Sequence, residues 1–132
     1  MRKKFLLCLL AAPLVISGCV TPAIFTNLTP LVQERNTNNL YTVEVQFDSI
    51  QQTLRWDTIK AQIVAETEFY PMRPTLLMTN RWEGLLPVPS GTNIVHYRYK
   101  FDYYYNTFGN SHSDSARSPE YTLRIVDKPA EK

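Results

Sequence analysis

Cys8 and Cys19 are the only two thiols in the 132-residue chain, and both precede residue 20. A disulfide framework, a thiolate metal site and a cysteine nucleophile are therefore excluded from everything that follows Cys19. Other chemistry-bearing residues are sparse. His112 stands in Ser111-His112-Ser113-Asp114-Ser115, which holds the residue types of a hydrolase relay. Such a relay is assembled between separate elements and not from neighbours in one loop. Glu66 and Glu68 fall on one face of an extended run, about 7 Å apart and near the range of paired glycosidase carboxylates. Two carboxylates on a solvated strand face serve solubility equally well. His96 alternates with Arg98 and Lys100 and has no partner at metal-ligand spacing. After Gly18 only Gly84, Gly91 and Gly109 occur, too scattered for a loop that cradles phosphate. These patterns assign no catalytic residue, no metal ligand and no cofactor. The aromatic residues offer more: Tyr104, Phe108 and Trp56 are the candidate binding residues, since exposed aromatics stack on sugar rings or anchor protein interfaces.

The amino end carries the most specific signal. Met1-Arg2-Lys3-Lys4 is a basic head on an apolar run over residues 5–16. A spanning helix needs roughly 20 such residues to cross about 30 Å of hydrocarbon, so this run has the layout of a secretory signal instead. Its end, Ile16-Ser17-Gly18-Cys19, resembles the bacterial lipobox, in which small residues fit a narrow peptidase site and the cysteine thiol takes a diacylglyceryl group. The resemblance implies cleavage after Gly18, acylation of Cys19 and membrane lipid as the first partner. Val20 stands where enterobacterial lipoproteins kept in the inner membrane carry aspartate, so the resemblance implies a bacterial cell envelope and, in a Gram-negative cell, favours its outer membrane. Losing Arg2, Lys3 and Lys4 takes the formal charge from +2 to −1. No concentrated positive face then remains for nucleic acid.

The rest of the chain must position these groups. Residues 19–39 hold the cysteine and a Pro- and Asn-containing tether, with an edge strand admissible at 23–28. From Leu40 the apolar period becomes two. Tyr41, Val43, Val45 and Phe47 alternate with polar neighbours, as do Ile59, Ala61, Ile63, Ala65, Thr67 and Phe69. Leu76-Leu77-Met78-Thr79 reads as a short strand and Trp82 to Leu86 as another. Residues 94–105 form the strongest strand, with Val95, Tyr97, Tyr99, Phe101, Tyr103 and Tyr105 on one face. Residues 106–118 read as a polar loop, 121–126 as a last strand and 128–132 as a charged tail. No helix is expected, and six or seven strands without a disulfide predict an all-β antiparallel sandwich over residues 40–127.

Trp82-Glu83-Gly84-Leu85-Leu86-Pro87-Val88-Pro89-Ser90-Gly91 followed by Tyr97-Arg98-Tyr99-Lys100-Phe101-Asp102 resembles the central hairpin of starch- and glycogen-binding modules. Those modules are early-set immunoglobulin-like sandwiches. The resemblance covers residues 82–102 and implies an immunoglobulin-like fold of about seven strands. Glycan-binding members present further tryptophans beyond this hairpin, whereas Tyr103-Tyr104-Tyr105-Asn106-Thr107-Phe108 follows here. The expectation is a non-enzymatic envelope lipoprotein that offers an immunoglobulin-like domain to a protein or the cell wall. The alternative is a glucan-binding lipoprotein.

Overall fold

A computed structural model describes residues 23–129. The export signal, Cys19 and the end of the tail lie outside the described residues. Among the described residues are nine strands: β1 (Ala23–Asn27), β2 (Val32–Glu34), β3 (Leu40–Ser49), β4 (Leu54–Ala65), β5 (Glu68–Pro74), β6 (Arg81–Pro87), β7 (Ile94–Thr107), β8 (Asn110–Arg117) and β9 (Tyr121–Val126). Among the described residues there is no helix. The strands follow one path, β1-β3-β6-β5-β4-β7-β9-β2, with β8 beside β7.

This path curls on itself. Pairing runs β1-β3-β6 on one side and β4-β7 with β8, β9 and β2 on the other, and β5 belongs to both. Its first part, through Pro71, pairs with β4, and Met72 to Pro74 pair with β6. Gly84, opposite Met72, sits at this bend. A Cβ there would lie 3.1 Å from Ile63 Cδ1, from Met72 Cγ and from the Pro71 carbonyl oxygen, so a side chain would require these neighbours to give way by a few tenths of an ångström.

The expected antiparallel sandwich of about seven strands requires two corrections. The pairing is mixed, because β2 runs parallel to β9. The count rises to nine because strands β2 and β8 form in segments read as tether and loop and the run at 59–69 is two strands, while residues 76–79 form none. Pro30 cannot donate to a ladder, and the chain crosses there from β1 beside β3 to β2 beside β9. On the return from β7, Ser118-Pro119-Glu120 interrupts what would otherwise be one strand, giving β8 and β9. Strand structure also enters the segment read as a tether, and β1 begins at Ala23. The long alternating run near residue 65 is a hairpin turning at Glu66-Thr67, with Ala65 opposite Glu68.

The core is aromatic. Phe101 of β7 meets Phe47 of β3 at 4.7 Å between ring centroids, Trp82 of β6 at 5.0 Å and Phe25 of β1 at 5.3 Å. None of those strands pairs with β7, so these contacts close one layer over the other. Tyr41, Val43, Val45, Ile63, Leu86, Leu123, Tyr97 and Tyr99 are fully buried around them. Each buried ring withdraws about 150–250 Å² from water and so contributes heavily to the hydrophobic stabilisation.

Tyr99 ties the layers together. Its N–H donates to Ser118 Oγ at 2.8 Å, and its carbonyl accepts from Ser118 N–H at 3.0 Å. Its hydroxyl donates to Asn27 Oδ1 at 2.7 Å and lies 3.1 Å from Thr29 Oγ1. Asn27 Nδ2 donates to Tyr97 Oη at 2.9 Å, and Glu44 N–H donates to Thr29 Oγ1 at 2.8 Å. Thr29 and Ser118, the two polar residues buried among those described, are thus both satisfied.

Burial raises the Tyr99 phenol above its usual value, and burial likewise raises Tyr103 and Tyr121. An unfolded phenol ionises near pH 10. Above that pH the folded state keeps a proton that the unfolded state releases, so stability is intact below about pH 10 and falls as pH rises further. Thermal melts from pH 8 to 11.5 are expected to show that decline. Tyr99→Phe is expected to lose about 1–2 kcal/mol at pH 7 and to decline less steeply above pH 10.

Candidate functional site

The structure does not bring the three aromatic candidates to one surface. Between Arg55 and Lys60 the pairing of β4 with β7 slips: Arg55 faces Tyr104 and Lys60 faces Asp102, so residues 56–59 bulge opposite Tyr103 alone. Thr58 closes the gap. Its Oγ1 donates to the Arg55 carbonyl at 2.6 Å and accepts the Tyr104 N–H at 2.9 Å, replacing a ladder bond. The slip changes the parity of the strand, so that Leu54 and Ala61, seven residues apart, are both buried.

Trp56, inside the bulge, is turned towards the core. Its ring stacks on Trp82 at 6.3 Å with 17° between planes and meets Phe47 edge-on at 5.9 Å. It closes the mouth of the core with 41% of its surface exposed. Tyr104 points the other way, next to the inward-facing Tyr103, and is half-exposed. It stands over a shallow groove of about 560 Å³ lined by Thr58, Lys60, Asp102, Ser113, Asp114 and Ser115. One aromatic face flanked by hydroxyls, a carboxylate and an ammonium has the composition of a site for a polyhydroxylated ligand. Phe108 belongs to neither surface. It forms the tip of the β7–β8 hairpin with Gly109, both at positive φ, and is fully exposed.

The letters of a hydrolase relay are dispersed by the strand they occupy. The segment read as a loop is β8, where alternation sends His112 and Asp114 to one face and Ser111, Ser113 and Ser115 to the other. His112 stacks on Tyr105 at 5.4 Å. Glu66 is in the β4–β5 turn and Glu68 opens β5, so they do not share a strand face as expected. His96 Nδ1 lies 2.9 Å from Thr122 Oγ1, and Glu120 holds Arg98 at 3.2 Å. Among the described residues no group of three or more His, Cys, Asp or Glu side chains converges.

The two ends of the domain differ. Antiparallel pairing places the start of β1, the β3–β4 loop, the β5–β6 loop and the β7–β8 turn at one end. The β2–β3 loop, the β4–β5 turn, the β6–β7 loop and the end of β9 stand at the other. That second end holds a groove of about 520 Å³ lined in part by Glu66, Glu68, His96, Arg98, Arg117 and Glu120. The first end holds residues that the sequence reading misplaced. Leu76-Leu77-Met78 is no strand: Thr75 N–H donates to the Arg81 carbonyl at 2.9 Å and Met78 N–H to the Thr75 carbonyl at 3.2 Å, closing a loop between β5 and β6. A run of three apolar residues bounded by Pro74 and Asn80 satisfies the strand pattern, and only the backbone reveals that it points into solvent.

No known family model matches the chain, and no curated protein matches it. Among solved structures it is similar to a DUF4785 family protein from Legionella pneumophila, with 12% identity and a TM-score of 0.42. The likeness covers 78% of this chain but only 28% of that one. At this score it establishes neither a shared fold nor a role.

The Thr58 bridge has a measurable consequence. Thr58→Val removes both its bonds and is expected to cost about 1 kcal/mol. Amide exchange at Tyr104 should accelerate while exchange at Tyr99 tracks global stability.

Proposed function

We propose that the protein is a non-enzymatic envelope lipoprotein, held on the membrane by acylated Cys19 and presenting an immunoglobulin-like domain to a protein or the cell wall. The observation that carries this reading is the order basic head, short apolar run, Ile16-Ser17-Gly18-Cys19. Two or three acyl chains on one cysteine, at roughly 0.8 kcal/mol per buried CH₂, give stable attachment where one chain gives only transient binding. The immunoglobulin-like architecture is supported by a first strand divided between two layers, a strand that changes layer at the bend and a long β7 hairpin at the centre. Recognition then resides in faces and loops, with the anchor supplying location. Mass spectrometry of the mature protein is expected to find an amino terminus at Cys19 bearing acyl chains. An unacylated terminus would refute the reading.

The groove under Tyr104 favours a second reading, a glucan-binding lipoprotein. Lys60, Asp102, Ser113 and Ser115 offer hydrogen bonds around a ring face that a sugar could stack on. Under this reading insoluble glucan retains the protein, and Tyr104→Ala lowers the retention at least about tenfold, in line with the loss of one well-packed aromatic contact. Equal retention of variant and parent, or none of either, excludes it.

A further inference from the structure

Two positions at the end where β1 begins contradict the preference of their own backbone. Leu77 has φ 64° and Phe108 has φ 47°, in the left-handed region that favours glycine and asparagine. Phe108 also takes the first place of a two-residue hairpin turn, Thr107 opposite Asn110, for which Asn-Gly is the preferred sequence. Both side chains are 103% exposed. Neither packs on the core, so neither contributes to folding by its apolar bulk. Large apolar residues placed in water on a costly backbone point to a surface that covers them.

They are not alone. Ile50 in the β3–β4 loop is 63% exposed, and Leu76 beside Leu77 is 87% exposed. Each of the three loops at this end therefore carries an apolar tip. At the opposite end, loop residues 35–39, 66–67 and 88–93 include no exposed large apolar side chain; the exposed ones near that end, Val32, Phe69, Ile94 and Val126, lie within strands, and Leu31 lies in the crossing before β2.

We propose that the three loops at the β1 end, tipped by Ile50, Leu76, Leu77 and Phe108, seat in the interfacial layer of the lipid bilayer that holds the chain. The inference rests on the reading of Cys19 as the lipid anchor. Cys19 precedes Ala23 by four residues, a reach of at most about 14 Å even when fully extended. Since β1 starts at the apolar end, acylation brings that end to the bilayer. The charged residues flanking the tips are Asp48, Arg55, Asp57, Arg73, Arg81 and Glu83, three of each sign, with Arg73 paired to Glu83 at 3.2 Å. Transfer of apolar side chains, rather than attraction to anionic headgroups, then drives the contact, and salt leaves it unchanged.

The test uses the acylated protein in phosphatidylethanolamine–phosphatidylglycerol vesicles. With Cys19 blocked by lipid, Leu77→Cys, Phe108→Cys and Thr67→Cys each carry one free thiol for a polarity-sensitive fluorophore. Blue-shifted emission and quenching by brominated lipid are expected at Leu77→Cys and Phe108→Cys, in low and in 0.5 M salt, and not at Thr67→Cys in the far turn. Unquenched probes at both tips, or equal quenching at all three sites, overturn the proposal. So does protection of the tips in whole membranes but not in vesicles, which would indicate a protein partner. Should mass spectrometry find Cys19 free, the anchor reading fails separately, and vesicle flotation of the unacylated chain decides the surface. Flotation weakened at least about tenfold by Leu77→Asn with Phe108→Asn sustains the proposal, and absence of flotation overturns it. Both asparagines suit the backbone they enter, so loss of binding in that variant is not loss of fold.

Discussion

The Tyr99 hydroxyl and the chain segment it holds are the constraint on which the two-layer arrangement depends. Residues 28–31 leave one layer and join the other, and a crossing segment has no ladder of its own to satisfy its polar groups. Asn27, Thr29 and the Glu44 backbone supply that ladder locally, and Tyr99 reaches them from the opposite layer. The same residue fixes the break between β8 and β9 through Ser118. One side chain and its backbone thus secure both interruptions. With no thiol after Cys19, hydrogen bonding and ring packing must do what a disulfide across the layers does in many small domains.

The bend at β5 is the counterpart of this crossing. Where the chain crosses between layers at residues 28–31, it gives up pairing and regains it through side chains. Where the sheet itself passes from one layer to the other, at Met72 and Gly84, pairing continues and space is the limiting quantity. The absence of a side chain at Gly84 lets Ile63 and Met72 close over the bend. Arg35 secures the far end, with Nε donating to Asp127 at 2.7 Å and Nη2 to Asn93 Oδ1 at 2.5 Å. Being exposed, this clamp orders a loop more than it adds to stability.

Strands that bury one face were legible in the sequence, because burial imposes a period of two. The tyrosine row of β7 and the valine row of β3 stand where their alternation placed them. β8 was not legible, since it extends beyond the core and both its faces meet water until Ala116. The turn at Glu66-Thr67 was hidden inside unbroken alternation, with Glu66 taking a positive φ that no residue type announced. Among the candidate site residues, types were readable but directions were not. Trp56 and Tyr104 face opposite sides because the bulge at residues 56–59 shifts the parity of β4, and nothing in the order of residues marks an irregular register. The apolar tips escaped for a related reason, since exposure is a property of the backbone path and leucine reads the same in either setting.

The parallel pairing of β2 with β9 has a mechanical meaning. The described chain begins at one end of the domain and leaves β9 at the other. Tension between Ala23 and Asp127 pulls β2 and β9 in opposite directions along their common axis. The bonds from Arg35 N–H to the Val126 carbonyl, 2.8 Å, and from Arg124 N–H to the Leu31 carbonyl, 2.9 Å, then resist together in shear instead of opening one after another like a zipper. The antiparallel β1–β3 pairing adds five more residue pairs along the same axis at the loaded end. A domain strung this way transmits a lengthwise pull through its sheet rather than unravelling from its first strand.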